Sequence, residues 1–173
     1  MPKFNKSIKL STEQLLEMIE NVRSRLKKSQ VLKDMFEEYG VDLEEFDYIP
    51  MAFADLDVSA RTDHGCIYFN YKLLEDGSFE SDDHYVLHET NHFLQQCAKD
   101  KPTEGSNNDD YLDDPDEKEA FQNQTEYLED TRGKETAENY VDQLLDHHDV
   151  DDNERDKRKN ELLNRKAQLL MRL

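Results

Sequence analysis

The chain of 173 residues contains no tryptophan, two cysteines, four prolines and five glycines, and nowhere a long apolar run. Two cysteines, Cys66 and Cys97, are too few for a disulfide framework, so both are expected as reduced thiols. The start, Met-Pro-Lys-Phe-Asn-Lys-Ser, lacks the apolar region of a secretory signal, and no stretch has membrane-spanning length. A cytoplasmic, soluble chain without a membrane partner is expected. Basic residues are also scarce: 22 Lys and Arg face 41 Asp and Glu, a net charge of −19. Such a surface repels phosphate, which argues against direct binding to a nucleic-acid backbone. Residues 101–150 hold 16 of the acidic residues and only 4 of the basic ones. A field of that sign suits solubility, attraction of basic chains, or mimicry of a nucleic acid.

Apolar residues make up 35% of the chain, enough for one modest core. Residues 11–28 place Leu15, Met18, Ile19, Val22 and Leu26 at helical spacing behind Ser11 and Thr12, which can cap the first N–H groups. A shorter helix is expected over 30–39, stopped by Gly40. Two aromatic and β-branched runs, YIPMAFADLD and GCIYFNYKLL, read as strands separated by a polar stretch from Val58 to His64. The second alternates Cys66, Tyr68 and Asn70 with Ile67, Phe69 and Tyr71, and a turn is expected over residues 75–78. The helical period returns from Asp82 to about Ala98, with Val86, Leu87, Phe93, Leu94 and Cys97 on the core-facing side. A polar loop over 99–114, containing Pro102, Gly105 and Asn107 to Asp110, precedes a helix opening at Pro115 and broken at Gly133. Two further helices are expected over 134–147 and 152–172, the last with a thin stripe of Leu162, Leu163, Leu169 and Leu170.

The central helix carries His88-Glu89-Thr90-Asn91-His92, an H-E-x-x-H pattern that composition alone would produce roughly 0.02 times in such a chain. At about 100° and 1.5 Å per residue, the two histidines lie one turn apart on one face, roughly 6 Å along the axis. Both imidazoles can therefore reach one ion, with Glu89 turned toward a water on it, and the pattern suits zinc. A catalytic zinc normally takes three protein ligands. The carboxylate-rich segment from Asp113 to Glu119, opening the next helix, is the candidate source of the third.

With these residues the chain resembles the gluzincin metallopeptidases, most closely their small members such as repressor-cleaving peptidases of mobile elements and other phage-type zincins. In them a glutamate three residues before an alanine completes the metal site, and Glu117 stands at that offset from Ala120. Glu119 is the second choice; Asp114 and Asp116 are shorter and precede or only begin the helix. Gly65-Cys66-Ile67-Tyr68-Phe69-Asn70 resembles the G-x-I-x-x-N strand of the same group, so the likeness runs from about 60 to 125. One position departs from it: where many gluzincins carry an aspartate that holds a zinc histidine, four residues after the glutamate, this chain has Phe121.

The resemblance implies an α+β, zincin-like fold: a small antiparallel or mixed sheet packed on the H-E-x-x-H helix, with further helices at both ends. Residues 1–150 would form the metallopeptidase domain and 151–173 a charged C-terminal helix. It implies Zn2+ on His88, His92 and Glu117, Glu89 as catalytic base, and a protein or peptide substrate, with basic chains favoured by charge. For a phage product the compartment would be the host cytoplasm. The rival reading is an acidic binding protein or DNA mimic on a zincin scaffold with a structural or inactive metal site. Among other candidates, Cys97 is rotated away from both histidines and reads as core, and Cys66 as a strand side chain. His147 and His148 read as a solvated helix end, and His84 as an edge to the site. Tyr111 and Tyr127 are oxyanion candidates better explained by packing.

Overall fold

The computed structural model describes residues 10–75, 77–99 and 111–163. The expected turn at Asp76, most of the polar loop and the end of the last helix, with Leu169 and Leu170, lie outside the described residues. The chain is α+β and divides into two compact units, residues 1–103 and 104–173.

In the first unit, helix α1 (Thr12–Leu26) begins at Ser11 with a reciprocal cap. The Gln14 N–H donates to Ser11 Oγ, and the Ser11 N–H donates to Gln14 Oε1. Its apolar face buries Ile19, Val22 and Leu26. Arg23 on the same face is buried and donates to the carbonyls of Phe46 at 2.6 Å and Ile49 at 2.7 Å. It thereby ties down a 3-10 turn over Leu43–Tyr48 that leads into the sheet. Helix α2 (Gln30–Glu38) buries Val31, Leu32, Met35 and Phe36. It ends as expected at Gly40, whose φ of +65° lets the Val41 N–H reach back to the Phe36 carbonyl.

Three strands follow, β1 (Met51–Ala54), β2 (Ala60–Asp63) and β3 (Cys66–Asn70), in the order β1-β3-β2. β1 runs parallel to β3 with Met51 opposite Ile67, and β2 runs antiparallel with Thr62 opposite Ile67. β3 buries Ile67 and Phe69 and leaves Cys66, Tyr68 and Asn70 half-buried, the expected alternation. The stretch from Val58 to His64, expected as a mere separator, contains β2. A two-residue turn produces it: His64 and Gly65 have φ of +51° and +75°, the left-handed pair that matches strand twist in a tight hairpin. Its polar residues are acceptable because β2 is an edge strand. Asn70 Nδ2 donates to the carbonyls of Leu56 and Val58 at 2.9 and 3.0 Å, which anchors the connection from β1 to β2.

The second expected strand stops at Asn70, and a short helix α3 (Lys72–Glu75) takes up its tail. Phe53, Phe69 and Phe79 then meet with ring centroids 5.0 to 5.8 Å apart. Helix α4 (Asp83–Lys99) packs on β2 and β3. Cys97, expected in the core, is exposed together with Ala98 and Lys99, because the last turn of α4 extends past the buried part of the helix.

In the second unit, Tyr111–Asp113 forms a 3-10 turn, and Asp114 caps helix α5 (Pro115–Arg132) by accepting from the Asp116 N–H at 2.9 Å. Gly133, with φ of +93°, separates it from α6 (Lys134–His147), and α7 (Asp152–Leu163) follows. Leu112, Phe121, Val141, Leu145 and Leu162 form an apolar core cluster in this unit. The charged helix α7 packs on α5 and α6 and contributes to that core through Leu162. Polar bonds do the rest: Thr125 Oγ1 donates to the Leu162 carbonyl at 2.6 Å, Gln122 Nε2 to that of Glu161 at 2.8 Å, and Lys159 pairs with Asp142 at 3.0 Å.

Candidate metal centre

Helix α4 is buried on almost every side, so its polar residues face protein rather than solvent. One turn apart, His88 and His92 are 6% and 5% exposed, and their Nε2 atoms lie 3.1 Å from each other. The helical spacing anticipated this convergence. Two nitrogens on a tetrahedral zinc, each 2.0–2.1 Å from it, would be about 3.3 Å apart, so the imidazoles are already close to the arrangement such an ion requires.

Among the described residues, one group of His, Cys, Asp and Glu side chains could hold a metal ion: His88, His92 and Glu117. Each offers one ligand atom, these atoms all lie within 4.8 Å of one another, and all three residues are buried. Two imidazoles and a carboxylate are a donor set that zinc accepts, so the residues fit the ion implied by the sequence pattern. Of the neighbouring acids, Glu119 is half-buried and outside this group, Asp114 is used as the cap of α5, and Asp116 is half-buried.

Glu89 is buried beside the histidines on α4. Thr62 on β2 holds it: the Thr62 hydroxyl lies 2.7 Å from Glu89 Oε2 and 2.9 Å from the Glu89 carbonyl oxygen, two acceptors for one proton. Gln96 in turn donates through Nε2 to the Thr62 carbonyl at 3.1 Å, which fixes the strand against the helix. Sequence reading missed Thr62 and Gln96. The only available signal was the hairpin turn at His64-Gly65, which brings β2 back along β3.

Where the gluzincin pattern has an aspartate, Phe121 belongs to the apolar core of the second unit, 5.9 Å from the Tyr111 ring. A different residue meets His92. Gln95, 0% exposed and one turn further along α4, places Oε1 2.7 Å from His92 Nδ1.

The remaining candidates resolve individually. His84 is buried, 4.4 Å from the Tyr85 ring by centroids and 3.6 Å from an Asp82 oxygen. Cys66 is a half-buried strand side chain, and burial raises its thiol pKa. Tyr127 is buried, and Tyr111 packs between Phe121 and the His148 ring, which it stacks at 4.8 Å. His147 is exposed, but His148 is half-buried rather than solvated; burial, followed by the neighbouring His147, lowers its pKa. No described helix is long and apolar enough to cross a membrane. No family model matches the chain, and no curated protein and no solved structure matches it significantly.

Proposed function

We propose that this chain is a zinc-dependent metallopeptidase in which His88, His92 and Glu117 hold the ion and Glu89 is the general base. The observation that supports this reading is the buried group of three ligand atoms, all within 4.8 Å of one another, with Glu89 also buried and following His88 on the helix that carries both histidines. Bound there, zinc would supply Lewis acidity and lower the pKa of a water toward 7.

The side chains of the protein do the rest. Glu89 takes a proton from the water that attacks a peptide carbonyl and returns it to the departing amine. Thr62, donating to Oε2, keeps the carboxylate in one orientation, so less of its freedom is lost when substrate arrives. The substrate is an extended segment of a protein or peptide, added as a strand along the outer edge of β2. The acidic balance of the chain favours basic segments, and the working compartment is the cytoplasm.

Metal analysis paired with peptide hydrolysis tests the proposal. It predicts about one zinc per chain and cleavage that stops when zinc is chelated and returns when it is restored. The same net charge of −19 favours a second reading, an acidic binding protein or nucleic-acid mimic with a structural or inactive metal site. Zinc retention without hydrolysis of any member of a diverse peptide library would select it.

A further inference from the structure

A metal-binding histidine must present a nitrogen lone pair, and the hydrogen bond at its other nitrogen decides which one is available. At His92 that second bond goes to an amide: Gln95 Oε1 lies 2.7 Å from Nδ1, and Gln95 is 0% exposed. A carbonyl oxygen can only accept, so Nδ1 must carry the proton and Nε2 the lone pair. It is Nε2 that faces His88 Nε2 at 3.1 Å. The separation of three residues within α4 keeps Gln95 on the same side of the helix as His92, and complete burial removes water as a competing acceptor.

We infer that Gln95 is the positioning residue of this site: it fixes His92 in the Nδ1–H tautomer and aims Nε2 at the metal. The inference extends the metallopeptidase reading above and shares its metal site. Its chemistry has a further consequence. A neutral amide draws the Nδ1 proton less strongly than a carboxylate would, so the imidazole it supports is a weaker base and holds zinc less tightly. Phe121 lies in an apolar core, and His92 is met instead by a neutral group from within α4.

The test reads the tautomer directly, without relying on activity. Long-range 1H–15N spectra of chelator-treated full-length protein should show His92 protonated at Nδ1 in wild type, and this pattern should be lost or mixed in Gln95→Leu. Zinc affinity, measured by competition with a chromophoric chelator, should fall about 10–100-fold in Gln95→Leu and be matched or exceeded in Gln95→Glu. Wild-type His92 protonated at Nε2, with the Gln95 amide turned to donate, would overturn the inference, and so would a Gln95→Leu protein with unchanged tautomer and affinity. The wild-type spectrum decides the matter even if a variant fails to fold. A wild type that shows the Nδ1–H form, lost in Gln95→Leu, yet binds no zinc would uphold the link between Gln95 and His92 while removing the metallopeptidase reading.

Discussion

The hydroxyl of Thr62 lies 2.7 Å from Oε2 of Glu89, across 27 positions of sequence. An edge strand thus sets the orientation of a carboxylate on the neighbouring helix. The pairing exists because the hairpin at His64-Gly65 returns β2 antiparallel to β3 and against α4.

Zinc content is the first expected outcome. Protein purified without chelators should carry about one equivalent, and His92→Ala should lose it, since two of three ligands make a poor site. Plasma emission analysis checks this; well under half an equivalent, not recovered by dialysis against zinc, would refute the metal assignment.

Glu89→Gln should keep the metal and the fold but lose at least about a hundredfold in peptide hydrolysis, the scale of a missing general base. Thr62→Val, which removes one hydrogen bond to the same carboxylate, should cost about tenfold. Steady-state rates on one peptide substrate measure both, and equal rates in Glu89→Gln and wild type would remove Glu89 from the mechanism.

Arg23→Met should destabilise the protein by about 2–3 kcal/mol. It withdraws a buried guanidinium from the carbonyls of Phe46 and Ile49, leaving both acceptors to be rehydrated or stranded. Urea denaturation of wild type and variant gives the difference; a loss below about 0.5 kcal/mol would show that the 3-10 turn holds without it.

Acid should weaken one contact of the second unit. The hydrogen bond from the Arg158 guanidinium holds the Asp113 carboxyl below its ordinary pKa. Its contribution is therefore full above the ordinary carboxylate range and is lost as pH falls through the lowered pKa. Wild type should be more stable than Asp113→Asn at neutral pH, and the gap should narrow in acid, below the ordinary carboxylate range. Urea melts at neutral and acid pH check the sign, and a gap that widened in acid would contradict it.

Basic peptides should be cut faster than acidic ones of the same length, because a strongly negative chain attracts cations. The advantage should shrink as salt rises toward about 0.5 M. A library profile without Lys or Arg preference, or one indifferent to salt, would leave the acidity to solubility.

Local regularities made much of the chain legible. Capping at Ser11, the stop at Gly40, the alternation in β3 and the bounds of α4 follow from short-range sterics and apolar spacing, which operate within a few residues. Where neighbours in space differ from neighbours in sequence, reading stopped. β2 was hidden because an edge strand has no need of an apolar pattern, and Cys97 was misplaced because periodicity does not say where the core ends along a helix.

By itself, then, the sequence determined that His88 and His92 converge, since helical pitch puts residues four apart on one face whatever surrounds them. Tertiary structure alone decided their setting. It buried Glu117 where its neighbours Asp116 and Glu119 are half-buried, turned Thr62 toward Glu89, and sent Phe121 into a core. It also left Gln95 wholly buried, with His92 Nδ1 within 2.7 Å of its carbonyl oxygen. The physical reason is that burial removes water as an alternative partner, and which polar groups lose water depends on how distant segments pack.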